Sequence, residues 1–181
     1  MMPTNHTPTQ QYKIIQTEKD FEIRFYPSVV MATITSTSKS YKELGNRGFK
    51  KLARFIFGEN ESKLQIAMTS PVHMRINDEV SAMSFVMPSQ YNKNNIPRPL
   101  NREVVISNSL DEYVAAVQFG GFATDKEIIL ITKKLENALK ANSLNWYGNF
   151  RFLGYNSPYQ LFGRKNEVIV SVKWQSNQER N

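Results

Sequence analysis

Two histidines, His6 and His73, and no cysteine stand among the 181 residues. Without a thiol there is no disulfide, no zinc ribbon, no iron–sulfur ligation and no thiol nucleophile. Two histidines cannot build a multi-histidine zinc or iron site. A serine nucleophile needs a histidine base, and the chain has no Gly-x-Ser-x-Gly turn to present one. It also lacks a Walker loop and a Gly-x-Gly-x-x-Gly turn. Glu22, Glu112 and Glu167 fall in strand patterns and could pair as acid and base facing a cavity. Glu167 opens an otherwise apolar strand, and a salt bridge to Arg24 or Arg164 that orders the strand ends is the simpler reading. His73 lies in Met68-Thr69-Ser70-Pro71-Val72-His73-Met74. Strand parity gives Met68, Val72 and Met74 one face and His73 and Arg75 the other, so His73 is expected at the surface. It could ligate a metal only if a ligand covered that outer face, or if Pro71 bulged the strand. Met68, Met74, Met83 and Met87 sit in apolar patterns. They fill a core by default, and a methionine-rich wall also accepts a flat apolar ligand.

The remaining chemistry is charge. Lys and Arg number 23 against 16 Asp and Glu, a net +7. The excess is spread evenly, so there is no basic arm. One cluster stands out: Lys42, Arg47, Lys50, Lys51 and Arg54, opposed within the segment only by Glu43. On a helix, Arg47, Lys50, Lys51 and Arg54 fall at i, i+3, i+4 and i+7 and share a face. Such a face suits an acidic small molecule, membrane phosphate, nucleic acid or plain solvent. No helix-turn-helix spacing, zinc finger or ribonucleoprotein motif accompanies it, so nucleic acid is not expected.

These side chains need elements to hold them. Tyr12–Thr17 and Phe21–Tyr26 alternate around Glu18-Lys19-Asp20, a hairpin signal. Val29–Thr37 is β-branched and reads as a strand. Ser38 or Ser40 caps a helix over 41–57, with Tyr41, Leu44, Gly48, Leu52 and Phe55 at helical spacing. Gly45 and Gly48 within it point to close packing on a neighbour. Strands are predicted over 64–76 and 80–87, then a loop over 89–102, then strands over 103–107 and 112–122. Thr124 or Asp125 caps a second helix carrying Ile128, Ile131, Leu135 and Ala138 on one stripe. Strands over 149–153 and 168–174 end the pattern. The order strand, helix, strand, strand thus occurs twice, with helix starts 84 residues apart. Two such units can pair about a pseudo-twofold axis. The expected fold is α+β: duplicated βαββ units forming a distorted antiparallel β-barrel with two flanking helices. A pocket is expected where the halves meet.

Length and a 40% hydrophobic content fit one domain with a sufficient core. Residues 1–11 read as a disordered lead and 175–181 as a polar tail. No stretch has the roughly 18 apolar residues that a membrane helix needs. The cysteine-free composition fits a cytoplasmic protein.

Several motifs together are more specific. They are Phe21-Glu22-Ile23-Arg24-Phe25-Tyr26-Pro27, Gly48-Phe49-Lys50-Lys51-Leu52, Phe55-Ile56-Phe57-Gly58-Glu59-Asn60 and Ile66-Ala67-Met68-Thr69-Ser70-Pro71-Val72. Met83-Ser84-Phe85-Val86-Met87-Pro88, Phe119-Gly120-Gly121-Phe122 and Gly163-Arg164-Lys165-Asn166-Glu167-Val168 follow. In this order and spacing the chain resembles the SOUL haem-binding protein family over residues 12–174. The resemblance implies a fold similar to bacterial effector-binding domains. It also implies haem or a related tetrapyrrole bound in a shallow apolar site beside the first helix. Propionates there would meet basic side chains. The implied positions are Phe49, Ala53 and Arg54, and Arg47, Lys50 and Met68 adjoin them. Ala53 stands where a relative has methionine. A second basic position corresponds to about Gln160, which carries no charge. The histidine ligand proposed in one branch has no counterpart before the first helix, so His73 is the one candidate axial ligand. Three functions stay open: a non-catalytic tetrapyrrole carrier, an enzyme acting on a tetrapyrrole, for example by metal removal, and a sensor of another amphipathic small molecule.

Overall fold

Alternating apolar residues and two capped amphipathic runs give a sheet carrying two helices. The computed structural model describes residues 7–156 and 163–175. In chain order the elements are β1 (Lys13–Thr17), β2 (Glu22–Tyr26), β3 (Val30–Ser36), α1 (Tyr41–Ile56), β4 (Val72–Arg75) and β5 (Ser81–Val86). β6 (Val105–Asn108), β7 (Glu112–Gly120), α2 (Asp125–Ala141), β8 (Trp146–Gly154) and β9 (Lys165–Val172) complete it. All strands pair antiparallel in one sheet of order β1-β2-β7-β9-β8-β4-β5-β3-β6.

The duplication is visible in that order. One βαββ unit lays down β4-β5-β3 and the other β8-β9-β7, and they join through β4 and β8. There Val72 pairs Gly154, His73 pairs Leu153 and Met74 pairs Phe152. The β1–β2 hairpin extends one half and β6 the other. β1 and β6 are the two edges, so the expected barrel does not close: the sheet is open.

Both helices begin where the sequence places caps. Ser40 Oγ accepts the Glu43 N–H, and Thr124 Oγ1 accepts the Glu127 N–H. α1 buries Leu44, Gly48, Leu52, Phe55 and Ile56, and α2 buries Ile128, Leu135 and Leu139. Both pack on one face of the sheet, over Ile23, Ile34, Met83, Phe85, Val168 and Val170. A Cβ at Gly48 would lie 3.2 Å from Ile34 Cγ2, so glycine sets how near α1 sits to β3.

Two expectations change. The strand over 64–76 is a ladder only from Val72 to Arg75. Pro71 has no N–H to offer a ladder. The chain before it is held by single bonds instead: Ile66 N–H to Ile56 O, and Thr69 Oγ1 to Val86 O. Nor is the whole lead free. Gln10 N–H donates to Ser70 O and Ser70 N–H donates to Pro8 O, which pins residues 8–10 along the sheet. Residues 1–6, with His6, residues 157–162, with the expected second basic position Gln160, and residues 176–181 lie outside the described residues.

Candidate functional site

α1 and α2 stand apart over the seam between β4 and β8. Between them lies a cleft of about 780 Å³, at the predicted junction of the halves. Val72 and Met74 of β4, Met83 of β5, and Phe152 and Gly154 of β8 form its floor. One wall is α1, through Tyr41, Lys42, Gly45, Asn46, Phe49 and Lys50. The other is Phe122, Ala123 and the first turn of α2, with Asp125 and Ile128. Asn156, Arg164 and Asn166 close one end. The floor is apolar because inward positions of β4 and β8 share a face, and that face is the core face of the sheet.

The charges stand at the rim. Lys42 and Lys50 are exposed and, among the described residues, neither makes an ion pair. The Arg164 guanidinium lies 4.2 Å above the Phe122 ring. Among the described residues, the one carboxylate lining the cleft is already engaged. Asp125 accepts from Tyr41 N–H at 2.5 Å and Lys42 N–H at 3.2 Å, so a residue of α2 caps α1. Burial, reinforced by Asp125, pushes the Tyr41 phenol up to about 12. Tyr41 is therefore neutral at ordinary pH.

Of the residues expected in the site, Phe49 and Lys50 line the cleft. Phe49 also meets Phe85 edge-on, with ring centres 5.4 Å apart. Arg47, Ala53, Arg54 and Met68 do not line it. Arg47 pairs with Glu43 at 3.5 Å and Arg54 reaches Glu59 at 3.9 Å. Lys51 pairs with Glu103 at 2.7 Å. The basic face of α1 is thus matched by acids along most of its length. Met68 packs against the core, as methionine usually does. The stripe that faces the cleft is Lys42, Gly45, Asn46, Phe49 and Lys50, at i, i+3, i+4, i+7 and i+8. Its signal was Gly45, small enough to leave room. Arg164 and Phe122 had no such signal, because only the assembled sheet brings them to α1.

His73 overturns its expected exposure. Parity did put it on the face opposite Met74, but that face is covered: His73 is 6% exposed. Its Nε2 lies 2.8 Å from Gln10 Oε1, in the pinned lead. Burial, with a smaller push from the Arg151 charge, lowers its pKa to about 3. The sheet separates this neutral imidazole from the cleft. Among the described residues no histidine lines the cleft, whose soft groups are the thioethers of Met74 and Met83.

The same covered face holds Glu167, fully buried. Arg24 donates to its Oε2 and the Tyr155 hydroxyl to its Oε1. The expected Glu167–Arg24 bridge is there. Arg24 also donates to Glu22 and Tyr26 and lies 4.2 Å over the Tyr12 ring. Glu112 bonds instead to Arg151 and Ser171. Each of the two accepts hydrogen bonds from side chains on other strands, so these carboxylates hold strands together. Among the described residues no group of three metal-ligating acidic, histidine or cysteine side chains converges, and no helix is long and apolar enough to cross a membrane.

Known proteins resemble this chain in sequence and in fold. A human protein named heme-binding protein 2 is 27% identical over 170 residues, covering 88% of this chain and 81% of that one. A Xenopus laevis protein named heme-binding protein 1 is 27% identical over 161 residues, covering 83% and 84%. Among solved structures, the EcmrR C-terminal domain superposes with a TM-score of 0.66 at 7% identity, covering 84% of this chain and 96% of that one. A structure of SAV2435 bound to tetraphenylphosphonium gives 0.53 at 11% identity, covering 90% and 97%. These two share the fold. The family model described as SOUL heme-binding protein matches residues 7–171, and the chain belongs to that family.

Proposed function

We propose that this chain binds haem or a related tetrapyrrole, without turning it over, in the cleft between α1 and α2. The carrying observation is the cleft itself: an apolar, methionine-floored slot with the cations of Lys42, Lys50 and Arg164 at its rim. Its volume lies within the ordinary range for small-molecule sites. A macrocycle would lie against Phe49, Met74, Met83 and Phe152, and burial of its faces supplies the drive. Its carboxylates would meet Lys42, Lys50 and Arg164, which takes the propionate role away from Arg54. Iron would bring redox and ligand-binding chemistry, but these residues recognise the ring and its carboxylates. Haemin and metal-free porphyrin are therefore expected to bind about equally. A cytoplasmic setting fits the cysteine-free composition.

The rim charges speak against a lipophilic cation such as tetraphenylphosphonium. Two lysines and an arginine face such a ligand, and Asp125 is spent on α1. An absorption titration of the Soret band tests the proposal. Saturation at one equivalent, with a shift that then stops, is the expected result. Progressive bleaching or metal loss with turnover would make the protein an enzyme. A shift that never saturates would remove the tetrapyrrole reading.

A further inference from the structure

The outer face of α2 serves neither the core nor the cleft. Ile128, Leu135 and Leu139 point inward. Lys126, Ile129, Leu130 and Lys133 fall at i, i+3, i+4 and i+7 and share a stripe on the solvent side. Ile129 is 66% exposed and Leu130 54%. Lys134 and Lys140 flank them and are exposed too. Nothing in helix formation needs two adjacent large aliphatics in water, since lysine or glutamine propagates a helix as well. Acids are few here. Glu136 sits half-buried, 3.5 Å from Lys133 and 3.2 Å from Lys140, and Glu127 stands in the first turn. Among the described residues Lys126 and Lys134 have no ion-pair partner.

We infer that this face of α2 docks the protein on an anionic phospholipid surface. Ile129 and Leu130 enter the boundary between headgroups and acyl chains, and the lysines around them meet lipid phosphates and carboxylates. An apolar pair ringed by lysine is the pattern of a helix lying in a membrane interface. The net charge of +7 draws the molecule to such a surface from a distance. A nucleic acid would use the lysines but give the aliphatics nothing to enter. The opposite side of α2 forms a wall of the cleft through Asp125 and Ile128. Docking would set the cleft beside the layer into which flat amphipathic molecules partition. That consequence rests on the tetrapyrrole reading, whereas the docking face does not.

The test is flotation of the full chain with phosphatidylcholine vesicles, with and without phosphatidylserine, in low and high salt. The protein should float with the phosphatidylserine vesicles only, and salt should release it. Ile129→Ser with Leu130→Ser, and separately Lys126→Glu with Lys134→Glu, should each weaken binding by at least about tenfold. Both variants change exposed positions, and unchanged thermal unfolding would show that they fold. Their porphyrin titration in vesicle-free buffer should match the parent, which separates this inference from the ligand reading. Absence of vesicle binding by the parent at low salt would overturn it. So would equal binding by both variants. A parent dimer that Ile129→Ser with Leu130→Ser dissolves would give the face to a second copy instead.

Discussion

At the residue scale, Lys50 and Arg54 look interchangeable, one helical turn apart on a basic helix. Their surroundings separate them. Lys50 faces the cleft without an acid, while Arg54 reaches Glu59. Exposed charge pairs are weak, so the expected effects are modest. Lys50→Glu should weaken porphyrin binding about fivefold, and Arg54→Ala should change it less than about twofold. Fluorescence quenching titrations of both variants would check this. His73 carries a different prediction. Its folded pKa is about 3, against 6.5 for an unburied imidazole. Below pH 6.5 the unfolded chain takes up a proton that the folded chain refuses. Stability therefore falls with pH, by about 1.4 kcal/mol per unit. Between pH 7.5 and 5 His73 should account for about 2 kcal/mol of lost stability. Urea unfolding of His73→Gln should show a shallower pH slope, whatever its stability at pH 7.5. Sequence showed which face His73 takes. It could not show that residues 8–10 cover that face, because this contact joins positions 63 residues apart.

At the element scale, the helices were legible because caps and apolar stripes are local signals. Ser40 and Thr124 cap where read, and Leu44, Gly48, Leu52 and Phe55 point inward as spaced. The strand over 64–76 was only partly legible. Parity marks an extended chain but not whether a partner strand lies beside it, and here the ladder starts after Pro71. Asp125 shows what local reading misses. The sequence offers it as a possible cap for its own helix, and its carboxylate caps the other one. It holds the two walls of the cleft at a fixed spacing. Asp125→Ala should cost about 1–2 kcal/mol, the range of a lost cap with its charge, and urea unfolding would measure it. Asp125→Asn retains one acceptor oxygen and should recover part of the loss.

At the scale of the whole molecule, two βαββ units make a seam, and the seam makes the cleft. The repeat was legible because helix and strand order recur at one interval. The openness of the sheet was not, since closure depends on whether the edges β1 and β6 meet. The covered face of the sheet is tied by Arg24 on β2 and Glu167 on β9, with β7 between them. Removing Arg24 leaves the buried Glu167 carboxylate without a cation, and removing Glu167 leaves the buried Arg24 only the half-buried Glu22. Glu167→Gln or Arg24→Met alone should cost about 3–5 kcal/mol, whereas Arg24→Met with Glu167→Met should cost much less. A double-mutant cycle by chemical denaturation would measure the coupling.

The cleft as ligand site is the central claim, and Gly45 tests it most directly. A Cβ there would sit 3.7 Å from Met74 Cε, an ordinary contact, so a side chain fits the backbone but projects into the slot. The measurement is a paired titration of the parent and Gly45→Leu with haemin and metal-free protoporphyrin. The parent should saturate at one equivalent with both pigments at similar affinity, and Gly45→Leu should fold normally and bind neither. Unchanged binding by Gly45→Leu would place the ligand elsewhere. A preference of about a hundredfold for haemin would mean that an axial ligand, absent from this account, holds the iron.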